Sequence, residues 1–349
     1  MRDYNYKEKW TELLTPDIVK KLTLVNEYKG EQRLFIEAHK DELKQLVEIA
    51  KIQSTEASNR IEGISTSNDR IKSLVQEKTT PRDRDESEIA GYRDVLNTIH
   101  ENYDYIPIDA SYFLQLHRDM CKFVGNVDGG RFKTGDNIIQ ETDELGNEHV
   151  RFRPVPAWET PTAINELCSA YQEAKMEVDP LILSNMFVLD FLCIHPFNDG
   201  NGRMSRLLTL LLLYQSGFIV GKYISIEKII EESKETYYEA LQDSSVNWHD
   251  NENDYKPFVN YMLGVIVSAY KEFESRVKLL TNPKVSKSDR IREIIKNHLG
   301  MITKAELLEM NPDISDTTVQ RTLADLLKRG EIEKIIGGRY TKYKWNGEE

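Results

Sequence analysis

Cysteine is scarce and unpatterned in this chain: its 349 residues hold only Cys121, Cys168 and Cys193. Three thiols without C-x-x-C spacing exclude a disulfide framework and suit a reducing compartment, so a cytoplasmic protein is expected. Long apolar runs are also missing. The most apolar stretch, Leu207 to Tyr214, is far shorter than the roughly 20 residues that cross a bilayer, so no membrane role is expected. The opening MRDYNYKEKW is charged and aromatic, where a secretion leader has a basic stub followed by an apolar stretch. No internal repeat, low-complexity tract or heptad run occurs. Excess positive charge is absent as well: a net charge of -12 argues against general nucleic-acid coating, although one basic face can sit within an acidic total.

What is present fits a soluble globular protein, with 40% apolar and 30% charged residues. The length points to two or three cooperating units. Apolar residues recur at helical spacing around Gln32 to Ile52, Glu86 to His100, Tyr112 to Phe123, Pro161 to Met176 and Leu181 to Ile194, which predicts a mainly α body. One stretch departs from this. From Arg131 to Val155, β-formers flank Asp143-Glu144-Leu145-Gly146-Asn147, the pattern of a β-hairpin. The segment Thr281-Asn282-Pro283-Lys284 punctuates the chain and opens a second pattern.

The segment His195 to Arg206, HPFNDGNGRMSR, joins the apolar helix Leu181 to Ile194 to a second apolar helix, Met204 to Ser216. Pro196 disfavours helical geometry at His195, so the first helix ends there. Gly200 and Gly202 let the backbone turn tightly and approach a ligand closely. The free N–H groups of the helix that follows, with its positive dipole end, form an anion nest. Arg203 and Arg206, three apart, stand on one face beside it, where guanidinium forks clamp phosphate oxygens. Asp199 offers the hard oxygen that Mg²⁺ prefers. His195, ordinarily titrating near 6.5, is able at pH 7 to accept a proton from an incoming hydroxyl. Each residue alone has an ordinary reading as cap, turn or solvated charge; their joint spacing carries the claim. Phe197, between two apolar helices, reads as a core plug.

This dodecapeptide resembles the Fic family signature H-P-F-x-D/E-G-N-G-R-x-x-R at every specified position. The resemblance implies a Fic-fold helical bundle with a β-hairpin flap that transfers AMP from ATP to a Tyr, Ser or Thr hydroxyl of a target protein, or of itself. It assigns His195 as base, Asp199 to magnesium, Asn201 with Gly202 to the phosphate nest, and Arg203 and Arg206 to the outer phosphates. It further implies that GRFKTGDNII begins the flap that holds the target by strand pairing, with Asn137, Ile138, Ile139 and Gln140 facing the nucleotide. In ETYYEALQDSS, Tyr237, Tyr238 and Ser245 stand where the family covers the adenine, Ser245 occupying a place where an amide such as Asn is expected. SNRIEG, Ser58 to Gly63, is similar to the family's inhibitory motif S/T-x-x-x-E-G/N, with Glu62 set to pair with Arg206 and Ser58 to steady the helix. A homodimer is also implied.

From Ser286 onward, three helices (Asp289 to Asn297, Lys304 to Glu309, Asp316 to Arg329) and a ribbon ending GGRYTKYKW follow the order of a winged helix-turn-helix. Residues 284 to 349 carry 13 Lys plus Arg against 11 Asp plus Glu, a net of +2. That is little for phosphate binding, so protein interaction is favoured over DNA binding. The expected organisation is an N-terminal helical region over 1–100 with the inhibitory helix, a Fic catalytic domain over 101–280 and a winged helix-turn-helix over 281–349. Competing readings are a DNA-binding regulator whose Fic unit senses nucleotide, and an enzyme that transfers another phosphate-containing group or removes AMP.

Overall fold

The structure is a computed structural model; it describes the chain apart from residues 1, 39, 126–127, 143–147, 282–285, 299–300, 312–313, 338–339 and 347–349. The expected hairpin turn, residues 143–147, lies outside the described residues. Two compact units are present, Met1–Phe273 and Glu274–Glu349.

The first unit is helical. In chain order come α1 (Tyr6–Lys9), α2 (Pro16–Ala38), α3 (Lys40–Ile61), α4 (Asn68–Val75), α5 (Arg84–Asn102) and α6 (Ala110–Cys121). Strands β1 (Ile139–Thr142) and β2 (Glu148–Phe152) follow, then α7 (Thr160–Ala174), α8 (Pro180–Ile194) and α9 (Asn201–Gln215). Helices α10 (Ile226–Glu232), α11 (Lys234–Ser245) and α12 (Lys256–Thr281) come last, α12 running past the division between the units. The stretch expected as helical from Gln32 to Ile52 takes in the end of α2 and the first part of α3, while residues 16–31 of α2 lie outside the expected segments.

Helix α8 is buried on every side from Leu181 to Ile194, as expected of a helix apolar all round. Its start is set by Asp179, which accepts the N–H groups of Leu181 (2.9 Å) and Ile182 (3.4 Å), and by Pro180 in the first turn. Its partner α9 is buried from Met204 to Tyr214, so the two form the centre, with α7, α5 and α3 around them. Close approach of α5 and α6 needs Gly91, where a Cβ would lie 1.8 Å from the Met120 carbonyl oxygen.

The hairpin is a two-stranded antiparallel sheet pairing Ile139 with Phe152 and Gln140 with Val150, with an irregular register between Ile139 and Gln140. In the second unit, α13 (Lys287–Asn297), β3 (Ile302–Thr303), α14 (Lys304–Met310), α15 (Asp316–Arg329), β4 (Ile332–Gly337) and β5 (Tyr340–Trp345) enclose a small apolar core that includes Ile291, Leu307, Val319 and Leu323. Its sheet order is β3-β5-β4, beside the three helices α13, α14 and α15. Thr303 and Glu306 form a capping box at α14, and Ser315 accepts the Thr318 N–H at α15.

Candidate active site

Helix α8 stops at Ile194 because His195 takes left-handed dihedrals, φ 53° and ψ 62°, just before Pro196. For a residue with a Cβ this costs roughly 1–2 kcal/mol and persists only where the surroundings hold it. They hold it firmly. The Lys133 N–H donates to the Pro196 carbonyl (2.9 Å). The side-chain oxygen of Asn201 accepts the Phe197 N–H (2.9 Å) while its amide donates to the Phe197 carbonyl (2.8 Å). Asn137 donates to the same carbonyl at 3.2 Å. The Phe197 ring is fully buried and stacks on His117, centroids 3.8 Å apart.

His117 is an anchor that its apolar helix face, shared with Phe113 and Met120, only hints at in sequence. Its Nδ1 accepts the Gly130 N–H (3.1 Å), which leaves Nε2–H to donate to the Asp199 carbonyl (3.1 Å). Burial, with Arg203 nearby, lowers its pKa to about 4 despite the Asp199 contact, so the ring is neutral at pH 7.

Gly200 is left-handed, φ 79°, and α9 starts after it. The first bond within that turn runs from the Met204 N–H to the Gly200 carbonyl (2.9 Å), so the preceding N–H groups point outward without a helical acceptor. The Glu62 carboxylate faces this turn: a Cβ on Gly202 would lie 2.1 Å from its Oε1. Glu62 also pairs with Arg206 at 2.8 Å. Ser58 accepts from Arg206 twice, through Oγ (2.9 Å from Nε) and through its carbonyl (2.9 Å from Nη2). Ser58 thus grips the arginine directly, a closer role than steadying its own helix.

A cavity of about 430 Å³ joins these parts. Its lining brings together nine of the sequence candidates: Glu62, Ile139, Gln140, His195, Gly202, Arg206, Tyr237, Tyr238 and Ser245. Leu192, Cys193, Leu241, Phe152 and Arg151 complete it. Arg151, from β2, stands over the Tyr238 ring at 5.5 Å and was not legible in the sequence, because a charge in an alternating strand reads equally as a solvated side. The other candidates fall outside this lining. Arg203 is buried and pairs with Glu88 of α5 at 2.8 Å. Asn201 and Asn137 are spent on the loop, Ile138 is exposed, and Gly200 shapes the turn.

Asp199 keeps an exposed carboxylate, which accepts the Gly200 N–H (2.6 Å) and has Arg203 and Arg84 each at 3.7 Å. Among the described residues no group of three His, Cys, Asp or Glu could hold a metal ion. A single hard carboxylate fits Mg²⁺, which takes one or two protein oxygens and completes its shell with phosphates and water.

Burial and the Lys133 charge lower the His195 pKa to about 4, against the pull of the Leu192 carbonyl, Glu62 and Asp199. Its Nδ1 is buried with no hydrogen-bond partner. The imidazole is therefore neutral and has a lone pair for a proton. A larger groove of about 630 Å³, beside Tyr105, Tyr171, Met176 and Gln215, contains none of the motif residues.

Residues 107–213 match the family model described as Fic/DOC, a stretch that includes the dodecapeptide and the hairpin. This part of the chain is a Fic/DOC domain. The chain is 26% identical over 186 residues to "Protein adenylyltransferase fic-1" of Caenorhabditis elegans, covering 51% of this chain and 32% of that protein. It is 28% identical over 232 residues to "Protein adenylyltransferase Fic" of Culex quinquefasciatus, covering 63% and 41%. The matches thus span about a third to a half of these curated relatives. Among solved structures, a Fic family protein from Desulfovibrio desulfuricans G20 superposes with TM-score 0.63 at 23% identity, covering 96% of this chain and 98% of that one. A Fic domain containing signaling protein from Bacteroides thetaiotaomicron gives TM-score 0.62 at 22% identity, covering 73% and 97%. The Fic fold is shared; Glu62, Tyr237, Tyr238 and Ser245 lie beyond the matched stretch. Among the described residues no helix is long and apolar enough to cross a membrane.

Proposed function

We propose that the protein is an adenylyltransferase that moves AMP from ATP to a hydroxyl side chain of a target protein. The observation that carries the reading is one cavity bounded by a neutral imidazole, the open first turn of α9 and the Arg206 guanidinium. A general base, an anion nest and a phosphate clamp thereby face a common space.

In this reaction the hydroxyl oxygen forms a bond to the α-phosphorus, the bond from that phosphorus to the bridging oxygen breaks, and pyrophosphate leaves with the electron pair. His195 takes the hydroxyl proton. The N–H groups at Gly202 and the guanidinium of Arg206 stabilise charge on the phosphates. Ile139, Gln140, Tyr237, Tyr238 and Ser245 enclose the base, and Arg203, through Glu88, sets the angle of α9. Asp199 would hold Mg²⁺, which when bound neutralises phosphate charge. An extended target segment adds along the hairpin, where main-chain bonds place its hydroxyl with little demand on sequence.

In the same reading Glu62 restrains the enzyme, since its carboxylate stands where a phosphate oxygen belongs and occupies Arg206. The relatives' names support adenylyl transfer, and the SNRIEG resemblance supports the restraint. Cytoplasmic residence, a homodimer and a protein-recruiting rather than DNA-reading second unit belong to this reading too, the last because of its small net charge. Its division is a restraining region over 1–100, a catalytic part over 101–280 and a winged helix over 281–349.

Purified protein with α-labelled ATP and Mg²⁺ tests it. Label on protein that is lost with His195→Ala, by about 10² to 10⁴ in rate, is the expected result. Undiminished labelling by His195→Ala would remove the base from the mechanism.

A further inference from the structure

Lys133 sits at the root of the hairpin, and the carboxylate that acts on its buried ammonium, that of Asp136, makes no ion pair with it at close range. Burying a charge without a counter-ion is costly, so such a group stays in place only where it makes strong hydrogen bonds. Two are present: Nζ donates to the Ile194 carbonyl at 3.1 Å and to the Asn137 side-chain oxygen at 2.9 Å. The Lys133 backbone N–H meanwhile donates to the Pro196 carbonyl at 2.9 Å. One residue therefore holds the carbonyls of both chain neighbours of His195, and His195 is the member of this loop with strained, left-handed dihedrals.

We propose that Lys133 is a positioning residue for His195, fixing the left-handed backbone that aims the imidazole into the cavity and tying that aim to the flap through Asn137. The inference rests on the reading of His195 as the base. Geometry gives it two consequences. The ring loses its fixed orientation when the ammonium is removed, which lowers turnover more than nucleotide affinity. The ring also loses a neighbouring positive charge that disfavours its protonation. The other charged groups facing the imidazole are Glu62, just past the end of α3, and Asp199 of the loop, both acting in the opposite sense, while Arg206 of α9 and Arg151 of β2 line the same cavity beside the phenols of Tyr237 and Tyr238. Among these, Lys133 is the one bonded to the backbone of the base's own turn.

The test uses the full chain, with Lys133→Met, Lys133→Gln and Lys133→Arg compared with wild type. Imidazole proton and carbon resonances followed against pH, with the His195 signal identified by its loss in His195→Ala, give the titration of the base without any turnover. Lys133→Met is expected to raise the midpoint by about one unit. In parallel, kcat for AMP transfer in a Glu62→Gly background falls by about tenfold or more with the nucleotide KM within about twofold, and Lys133→Arg recovers most of both. Should Lys133→Met fail to fold, Lys133→Gln, which keeps a donor without the charge, carries the same comparison. A midpoint and kcat that both stay at wild-type values in a folded Met or Gln variant overturn the proposal. Failure of the enzyme reading shows differently, as labelling that survives His195→Ala, while the titration still reports on Lys133.

Discussion

The Glu62 carboxylate stands over Gly202 so closely that a Cβ built there would lie 2.1 Å from its oxygen and 3.3 Å from Arg206 Nη1. An acidic side chain thus occupies the open first turn of α9 and neutralises its nearest guanidinium. An anion is satisfied at a helix N-terminus for the same reasons whether it is a carboxylate or a phosphate. The protein's own glutamate therefore competes with the group that the turn is suited to bind.

Replacing Glu62 with Gly is expected to raise AMP transfer by about tenfold or more, which corresponds to roughly 1.4 kcal/mol of lost competition. The Lys234 ammonium donates to the Ile61 carbonyl at 2.8 Å, so the end of α3 stays docked without the glutamate side chain. Label incorporation by wild type and Glu62→Gly at saturating ATP is the comparison to make. Equal rates, with equal nucleotide affinity, would leave Glu62 a simple surface acid.

Gly202→Ala separates folding from binding. The atom that the new methyl meets first is the end of a flexible side chain, so Glu62 swings aside, and alanine suits a helix better than glycine by about 0.5–1 kcal/mol. Stability is expected within about 1 kcal/mol of wild type, whereas ATP affinity drops by about tenfold because the methyl fills phosphate space. Calorimetric melting and titration with ATP measure the two separately. Unchanged affinity would move the phosphates away from this turn.

The dodecapeptide was legible because its parts are adjacent in the chain and their roles follow from local rules: Pro196 ends α8, Gly200 turns, and α9 begins. Glu62 was legible through its short motif. So was its pairing with Arg206, whereas the pairing of Arg203 with Glu88 was not. Residues three apart on a helix differ by about 60° in direction. That angle is enough to hand Arg203 to Glu88 of α5 and Arg206 to Ser58 and Glu62, partners more than a hundred residues away. Asn201 likewise looks like a phosphate ligand in sequence and is a staple across Phe197 in space. Lys133 and His117 were missed because a lysine before a hairpin and a histidine on a helix have many ordinary uses, and only the tertiary fold brings both onto the loop after α8.

Three buried imidazoles give folding a definite pH dependence. Burial holds His100 at about 3, and His117 and His195 at about 4, all below the ordinary 6.5. The unfolded chain therefore binds protons that the folded one refuses, so this part of the stability is fully present above pH 6.5. It declines as pH falls from 6.5 and levels off near 4 for His117 and His195 and near 3 for His100, by up to about 1.4 kcal/mol per pH unit for each group. Urea unfolding between pH 7.5 and 5 is expected to show midpoints that fall steadily below about pH 6.5. His100→Phe should flatten part of that slope; a slope unchanged by it would mean that His100 is accessible to protons in the folded state.

Asp190 links α8 to two distant segments, and its removal is expected to be damaging. Fully buried, it accepts from Trp248 Nε1 (2.6 Å), Tyr6 (2.7 Å), Tyr255 (2.8 Å) and Arg2 (3.1 Å). The Arg2 guanidinium lies 4.2 Å over the Trp248 ring and also donates to Asn253 (2.8 Å). Asp190→Ala leaves a nearly buried guanidinium without its carboxylate and three donors without an acceptor, at a cost of about 3–5 kcal/mol. A melting temperature lower by on the order of 10 °C is the expected result. The double change Arg2→Met with Asp190→Leu removes both charges and should recover much of the loss, since a buried ion pair contributes little beyond a well-packed apolar substitute. If the double variant is no more stable than Asp190→Ala, the carboxylate's bonds to the two tyrosines and the tryptophan, and not its pairing with Arg2, hold α8 to these segments.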